Sequence, residues 1–542
     1  MTPQRGVIRI LAIMALTVAA AWTGCAAERA TPPSTTPPSL TLATPAPASP
    51  STHANRILTF GGGSSPANSQ ASLEQNVLYF RRVLGDLHLD GVHQDTYFTD
   101  GTTTGRTVQV RLKPNADMEL RETIAGLFGE DGSSIELNFR PAQLTPLAGP
   151  STPAAITSWF DSAAKSMSPN DRLLVYFTGH GGPLARPRGP GMRGPAPAPT
   201  TPGTLLETWN DGAITTRDFV TQLDKLNPSV DVTLIMVQCF SGGFANVIYN
   251  GGDPAKGLSK SHRCGFFSTV ATRPAAGCTP DIEGDNYEEF STSFFAALSG
   301  KTRAGQAVEK PDYDKDGITS FAEAFTYVLL TSNTIDIPMM TSDQLLRDKS
   351  KFGRAADPAL VPADAPYATI LATATPAQRA ALEGLSTQLA LTGDGRLAAA
   401  RKMAADLDRE RVDVQRTARD AEAAVANSRT PIRQMVLQRW PELAVRWHPG
   451  LAALLARDAH QIDEAIATHP AFEAWKNAQT KLDAAFAKDN ELERKWVKVE
   501  RFLTRADVVI LAANLGKVAT PEVVEAYKDL TARENQTLTS WK

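Results

Sequence analysis

Short apolar runs in the N-terminal part of the chain alternate with stretches whose apolar residues recur every three or four positions. The runs predict buried strands at Arg56–Phe60, Thr96–Thr99, Arg172–Thr178, Val232–Gln238 and Phe266–Ala271. The periodic stretches predict helices over Ser72–Leu84, Thr152–Met167, Thr215–Leu226, Tyr287–Leu298 and Phe321–Leu330. Because strands and helices alternate, the pattern predicts an α/β fold with a mostly parallel, doubly wound sheet flanked by helices.

The pattern changes at about Thr375, where prolines become rare and Ala, Leu, Arg, Glu and Lys dominate. A seven-residue repeat joins Ala400, Leu407, Val414 and Ala421, and steps of four, three and four join Leu492, Trp496, Val499 and Leu503. These spacings predict long amphipathic helices in a bundle or antiparallel coiled coil. We expect the helical run to be interrupted at Pro431, Pro441 and Pro449.

The first residues have the organisation of a secretory signal peptide. Arg5 and Arg9 precede an apolar run, Ile10–Trp22, and small residues come before Cys25. The segment before Cys25 resembles a bacterial lipoprotein lipobox, although Trp22 stands where an aliphatic residue is usual. We therefore predict export to the bacterial cell envelope with a lipid anchor on Cys25; simple secretion is the alternative.

These features divide the chain into five predicted segments. They are a signal peptide over 1–25, a Pro/Thr/Ser-rich disordered linker over 26–54, an α/β domain over 55–340, a linker over 341–374 and a helical domain over 375–542. With 542 residues, 42% of them hydrophobic, the chain can bury more than one core. A net charge of −3 gives no indication of a nucleic-acid partner.

Two of the predicted strands are followed directly by residues with reactive side chains. Arg172–Thr178 runs into Gly179-His180-Gly181-Gly182, and Val232–Gln238 runs into Cys239-Phe240-Ser241-Gly242-Gly243. In an open parallel sheet, ligands bind just beyond the carboxyl ends of the strands. We therefore expect His180 and Cys239 to meet there. A thiol beside an imidazole is suited to nucleophilic acyl transfer.

The segments Tyr176–Gly182 and Gln238–Gly242 resemble the two motifs of the caspase-like clan of cysteine peptidases, which contains legumains, caspases, metacaspases and gingipains. The order of His before Cys matches, and Tyr-Phe-Thr-x-His-Gly is closest to the legumain branch. The first strand with Gly61–Ser65 also resembles the legumain start, and the resemblance spans roughly Arg56–Leu330. Where legumains have an arginine after that strand, this chain has Ala67-Asn68-Ser69-Gln70.

The resemblance implies an endopeptidase that acts on peptides or proteins through a thioester acyl-enzyme. Cys239 would be the nucleophile and His180 the general acid/base, with no third residue required. The backbone N–H groups of Gly181 and Cys239 would bind the oxyanion. A peptide ligase or transpeptidase on the same pair, and an inactive envelope scaffold whose helices bind a protein partner, are the alternatives.

The residue that selects the substrate is less evident. Metacaspases, which prefer basic P1 residues, use acidic pocket groups, and this chain offers Asp281, Glu283, Asp285, Glu288 and Glu289 as candidates. Basic candidates are Arg186 and Arg188, in a loop rich in Pro and Gly. A solvated acidic loop and a passive basic insert are the alternatives.

Two further features suggest structural sites. If Cys25 is lipidated and Cys239 is catalytic, Cys264 and Cys278 remain as a candidate disulfide, with two unrelated thiols as the alternative. Residues 312–323 match a twelve-residue calcium loop. Its predicted ligands are Asp312, Asp314, Asp316, the Ile318 carbonyl, Ser320 and Glu323. The alternative there is an Asp-rich turn before an N-capped helix; catalysis itself needs no cofactor.

Overall fold

The computed structural model describes residues 54–111, 116–129, 137–184, 203–277, 287–445 and 448–541. The chain forms two compact units. Of the described residues, those numbered 54–110, 139–400 and 500–541 belong to unit 1, and those numbered 111–138 and 401–499 belong to unit 2. The predicted signal peptide, the lipidation site Cys25 and nearly all of the predicted linker over 26–54 lie outside the described residues.

The described strands are, in chain order, β1 Asn55–Gly62, β2 His93–Phe98, β3 Val108–Arg111, β4 Leu137–Arg140, β5 Arg172–Gly179, β6 Gly181–Pro183, β7 Thr204–Thr208, β8 Gly212–Thr215, β9 Asp231–Met236, β10 Arg263–Phe267 and β11 Met339–Met340. Six of them form the central sheet of unit 1 in the order β11-β10-β9-β5-β1-β2. All neighbours pair in parallel except β10 and β11. The predicted α/β fold with a mostly parallel sheet is therefore confirmed.

The described α-helices are, in chain order, α1 Ala71–Asp86, α2 Ala116–Phe128, α3 Pro153–Ser166, α4 Thr216–Leu223, α5 Phe290–Ser299, α6 Phe321–Thr331, α7 Thr341–Lys349, α8 Tyr367–Thr373, α9 Pro376–Gln388, α10 Arg396–Arg439, α11 Leu451–Ala467, α12 Phe472–Val518 and α13 Pro521–Glu534. Short 3₁₀ helices occur at Pro66–Asn68, Ser241–Ile248, Asn250–Gly252, Pro254–Lys256, Pro441–Ala444 and Leu538–Trp541.

Helices cover both faces of the central sheet, which explains why its inner strands read as continuous apolar runs. Successive strand side chains point to opposite faces. One face buries Val175 and Phe177 with apolar residues of α3, α4 and the end of α12. The other buries Leu174 and Tyr176 with α1, α5 and α6. Most residues inside the sheet are thus used for packing.

A small antiparallel sheet follows His180 directly. Strands β6, β7 and β8 pair in that order, with Gly181 opposite Leu206 and Gly182 opposite Leu205. The helix after β8 starts at a capping box in which Thr215 Oγ1 accepts the N–H of Asp218. This sheet fixes the backbone on one side of His180.

Unit 2 consists mainly of helix and has its own apolar core. Its cluster includes Leu127, Val425, Leu454, Ile462 and Trp475. The α10 guanidinium of Arg411 lies 3.0 Å from Asp489 and 3.2 Å from Glu493 on α12. The expectation that Pro431 interrupts the helix is wrong, because this residue lies inside α10. Pro441 does follow the end of α10, and Pro449 precedes α11.

The compact units differ from the segment boundaries that the sequence suggests. The segment 341–374, expected to be a linker, contains α7 and α8, whose Leu345, Leu346 and Ile370 are buried. The last residues of the chain, from Glu500, belong with the sheet rather than with the other helical residues. The contacts of Arg501, on α12, explain why these residues pack with the sheet.

Arg501 on α12 is 1% exposed and binds the backbone of the segment before β11. Its guanidinium donates to the carbonyl oxygens of Ser332 and Asp336 at 2.7 Å each, and to that of Thr334 at 3.2 Å. Burial lowers the pKa of Arg501 to about 10, so it stays cationic at neutral pH. These carbonyl groups lie outside helices and strands, and the buried guanidinium gives them a hydrogen-bond donor. The same hydrogen bonds fix this end of α12 within unit 1.

We predict that Arg501→Met destabilises unit 1 by about 3 kcal/mol or more, because it leaves several buried carbonyl groups without a donor. Urea unfolding followed by tryptophan fluorescence measures this change. Lys528→Met is the matched control: it also removes a cation, but its side chain is 66% exposed and pairs only with Glu525. Equal midpoints for the two variants would contradict the structural role of Arg501.

Candidate active site

His180 lies just beyond the end of β5, and its imidazole is held on one side. Nε2 lies 2.8 Å from the backbone oxygen of Asn68 and 2.9 Å from Oε1 of Gln70. Because a backbone carbonyl can only accept, Nε2 carries the hydrogen of this contact. In the neutral ring Nδ1 then has the lone pair and is the nitrogen able to accept a proton.

The segment that supplies these two acceptors connects β1 to α1. Ser65 precedes the short 3₁₀ helix Pro66–Asn68, and the backbone N–H of Ser65 donates to Oδ1 of Asn68 at 2.8 Å. A Cβ on Gly63 would lie 2.3 Å from the oxygen of Asn68, so only glycine allows this close turn. Sequence reasoning missed the roles of Asn68 and Gln70; their position after the first parallel strand was the available signal.

Cys239 lies beyond the end of β9 and is half-buried. The N–H of Ala275 donates to its Sγ at 3.2 Å, and the oxygen of the same residue lies 3.8 Å away. The next residue, Phe240, has a φ of 59° in the left-handed region, which is rare for a residue with a side chain. The chain therefore turns away sharply just after the thiol.

The segment over the thiol is anchored by a buried carboxyl group. The N–H of Ala276 donates to Oδ1 of Asp336 at 2.6 Å, and Asp336 is 0% exposed. Burial raises the pKa of Asp336 to about 7, against the opposing effects of this N–H and of Arg501. The same stretch of backbone that binds Arg501 therefore supports the residues next to Cys239.

The structure brings the backbones of the His180 and Cys239 segments into contact. Strands β5 and β9 are direct parallel neighbours, with Phe177 opposite Met236. A Cβ on Gly181 would lie 2.7 Å from the oxygen of Cys239 and 2.5 Å from Cγ of Gln238. His180 and Cys239 therefore lie at the same edge of the sheet. The close approach is made by the backbone of Cys239 and by Gly181, the residue after His180.

The β6–β7 ladder does not use the N–H of Gly181. Glu207 N donates to His180 O at 2.9 Å and Leu184 N to Gly203 O at 2.7 Å, which marks these as hydrogen-bonded pairs of the β6–β7 ladder. Bonded and non-bonded pairs alternate in an antiparallel ladder. Gly181 is opposite Leu206 at a non-bonded pair, so its N–H points away from β7. The oxyanion role of the Gly181 and Cys239 N–H groups stays a prediction.

The charge state of His180 follows from its surroundings. Burial lowers the pKa of its imidazole, while the carboxylate of Glu207 and the hydrogen bond to Asn68 act in the opposite direction. Burial has the larger effect, so the ring is neutral at pH 7. A neutral imidazole is the form that can accept a proton from a thiol.

Gln238 directly precedes Cys239 and is 1% exposed. Within the described ranges, neither Nε2 nor Oε1 of its side chain has a hydrogen-bond partner. Leaving a buried amide unpaired is costly, and a bound polar group can remove that cost. Gln238 therefore carries a buried amide whose polar atoms have no partner among the described residues, in the residue next to Cys239.

Two of the acidic residues suggested for substrate selection have structural partners. Glu289 is buried, caps α5 by accepting the N–H of Ser291 at 2.8 Å, and lies 3.5 Å from Arg303. Glu288 accepts the N–H of Asn333 at 2.9 Å. The other candidates, Asp281, Glu283, Asp285, Arg186 and Arg188, lie outside the described residues.

Cys264 lies in the core rather than at the site. It is 1% exposed on β10, its Sγ lies 3.7 Å from Oγ1 of Thr233, and burial raises the pKa of its thiol. Its predicted disulfide partner Cys278 lies outside the described residues, so this pairing stays a prediction.

The candidate calcium loop brings three of its predicted ligands together. One carboxylate oxygen from each of Asp312, Asp314 and Glu323 lies within 4.8 Å of the others. Asp316 Oδ1 instead accepts the N–H of Ile318 at 2.8 Å. Ser320 and Glu323 form a capping box on α6. The alternative interpretation, an N-capped helix, thus accounts for part of the same pattern.

Comparisons with known proteins do not assign this chain to a family. No family model and no curated protein matches this chain. Among solved structures, the crystal structure of protein GSU0716 from Geobacter sulfurreducens covers 53% of this chain and 92% of its own, at 12% identity and a TM-score of 0.29. Similarity at that level carries no conclusion about function. In the part of the chain that the structure describes, no helix is both long and apolar enough to span a membrane.

We predict that Gly181→Ala disrupts the site, because its Cβ would collide with Gln238 and with the backbone of Cys239. The expected loss of stability is about 1–3 kcal/mol. Gly182→Ala is the matched control, since its Cβ would have no atom within 4 Å. Thermal melting of both variants compares the two positions, and equal melting temperatures would contradict the close approach at Gly181.

Proposed function

We propose that this protein is a cysteine endopeptidase of the caspase-like clan. The observation that carries the proposal is the contact of Gly181 with the backbone of Cys239, at the ends of neighbouring parallel strands. It supports a shared site for His180 and Cys239. The hydrogen bonds of His180 Nε2 to Asn68 and Gln70 add support, because they orient an imidazole for proton transfer.

In the proposed reaction, Sγ of Cys239 attacks the carbonyl carbon of a peptide bond while Nδ1 of His180 accepts the thiol proton. The N–H of Ala275 donates a hydrogen bond to Sγ of Cys239, which favours the negatively charged thiolate. Negative charge develops on the carbonyl oxygen, which the Gly181 N–H can bind. The imidazolium then donates its proton to the leaving amine, leaving a thioester on Cys239. Water activated by the neutral His180 hydrolyses the thioester and restores the thiol.

The proposal is tested with a peptide library in which only P1 varies. We predict that the wild-type protein cleaves the library and that Cys239→Ala and His180→Ala lower kcat/KM by at least about 10³-fold, as expected when a nucleophile or its base is removed. Cys264→Ala is the control for the loss of a thiol elsewhere. Cleavage that is unchanged in Cys239→Ala would contradict the proposal.

The same assay separates the alternatives on this site. With an added amine, a ligase or transpeptidase transfers the acyl group to that amine, and mass spectrometry then finds the ligated peptide in place of the hydrolysed one. An inactive scaffold gives neither product with any P1 residue.

We also propose that the loop over 312–323 binds a calcium ion in a structural role. The clustering of carboxylate oxygens from Asp312, Asp314 and Glu323 within 4.8 Å supports this, because Ca²⁺ prefers such ligands and offsets their repulsion. The ion would stabilise the start of α6, whose Phe321 and Phe325 pack in the core.

We predict that millimolar calcium raises the melting temperature of the wild-type protein, while Asp312→Asn with Asp314→Asn removes the increase. Binding to the folded form alone stabilises it by mass action. Glu525→Gln on the exposed side of α13 is the control for loss of an acidic charge. The absence of any shift in the wild-type protein would contradict the calcium proposal.

For location and partners we propose an envelope protein anchored through a lipid on Cys25, on the basis of the lipobox-like segment. The helices of unit 2 expose apolar side chains, Val412 at 42% and Phe486 at 47%. We propose a protein partner for those helices, which a contiguous apolar surface would favour.

A further inference from the structure

Glu207 on β7 stands directly across from His180. Its N–H donates to the oxygen of His180 at 2.9 Å, so the two residues are a hydrogen-bonded pair at the start of the β6–β7 ladder. Side chains of residues directly opposite each other in an antiparallel pair lie on the same face. The carboxylate of Glu207 is therefore on the imidazole side of this small sheet.

The same carboxylate binds the residue that orients the imidazole. Oε2 of Glu207 accepts hydrogen bonds from Nδ2 of Asn68 at 3.2 Å and from Oγ of Ser64 at 3.3 Å. Oδ1 of Asn68 accepts the N–H of Ser65 at 2.8 Å. The Asn68 side chain is thus held at both ends, and its backbone oxygen accepts the hydrogen of His180 Nε2.

We propose that Glu207 is a positioning residue for His180, acting through Asn68 and through its own negative charge; this rests on the proposed peptidase function. Glu207 fixes the β1–α1 segment so that Asn68 and Gln70 bind the Nε2 side of the ring. Nδ1 is then left to exchange the proton with the thiol and the leaving amine. In addition, the carboxylate offsets the positive charge that the ring gains when it takes the thiol proton.

The electrostatic effect has a definite sign. Around His180 the described acceptors Asn68 and Gln70 are neutral, and the thiol of Cys239 follows the end of the neighbouring strand β9. Glu207 is the charged group that acts on the ring. The Glu207 carboxylate raises the pKa of His180 against the larger effect of burial. Removing the charge therefore lowers the pKa of His180 further.

Two variants separate geometry from charge. Glu207→Gln keeps an oxygen that can accept from Asn68 and Ser64 but loses the charge, whereas Glu207→Ala loses both. Glu525→Gln is the matched control, with the same change at an exposed position on α13. The readouts are the titration of the His180 Cε1–H signal by NMR, assigned with His180→Ala, and kcat and KM for the best library peptide.

We expect the His180 titration in Glu207→Gln to move to lower pH, with the control unchanged. We expect kcat to fall about tenfold at pH 7 with little change in KM, since the missing interaction matters most when the ring is charged. Glu207→Ala should lose more activity than Glu207→Gln, because Asn68 is also released.

The titration needs no turnover, so the two proposals fail separately. A His180 titration in Glu207→Gln that coincides with those of the wild type and the control overturns the role of Glu207, whatever the activity. A shifted titration in a protein that cleaves no peptide supports the action of Glu207 on His180 and overturns the peptidase function instead.

Discussion

The site depends on one constraint: β5 and β9 are neighbours in a parallel sheet that is buried on both faces. Parallel pairing brings the carboxyl ends of the two strands to the same edge, with Phe177 opposite Met236. Burial on both sides uses most of the strand residues for packing, although Thr233 of β9 is buried as well. His180 and Cys239 carry reactive side chains just beyond the strand ends.

Close backbone contacts then fix the loops around this edge. A Cβ on Gly61 would lie 1.8 Å from the oxygen of Thr178, one on Gly63 would reach Asn68, and one on Gly181 would reach Cys239. Three glycines therefore allow the β1, β5 and β9 ends to approach more closely than side chains permit. These close contacts place Asn68 and Gln70 within hydrogen-bond distance of the His180 imidazole.

The strand ends could be predicted from the sequence because strand pattern and residue order are local signals. The role of Glu207 beside His180 could not be predicted in this way. Glu207 acts on it only because β7 returns to pair with the residues after β5, and the span of chain between them carries no pattern that predicts this pairing. The place of Arg501 in unit 1 is likewise a long-range contact, made with carbonyls of Ser332 and Asp336. For the loop over 312–323, Ser320 and Glu323 fit both a calcium loop and a capping box, and spacing alone cannot separate the two.

We propose that Cys239 is a nucleophile activated at this edge of the sheet. The most direct measurement is labelling with a peptide that carries an electrophilic carbonyl trap, followed by mass spectrometry of the digested protein. We expect one adduct on Cys239 that forms quickly in the wild-type protein, slowly in His180→Ala and not at all in Cys239→Ala. Equal and negligible labelling of all three proteins, with traps of every P1 type, would contradict it.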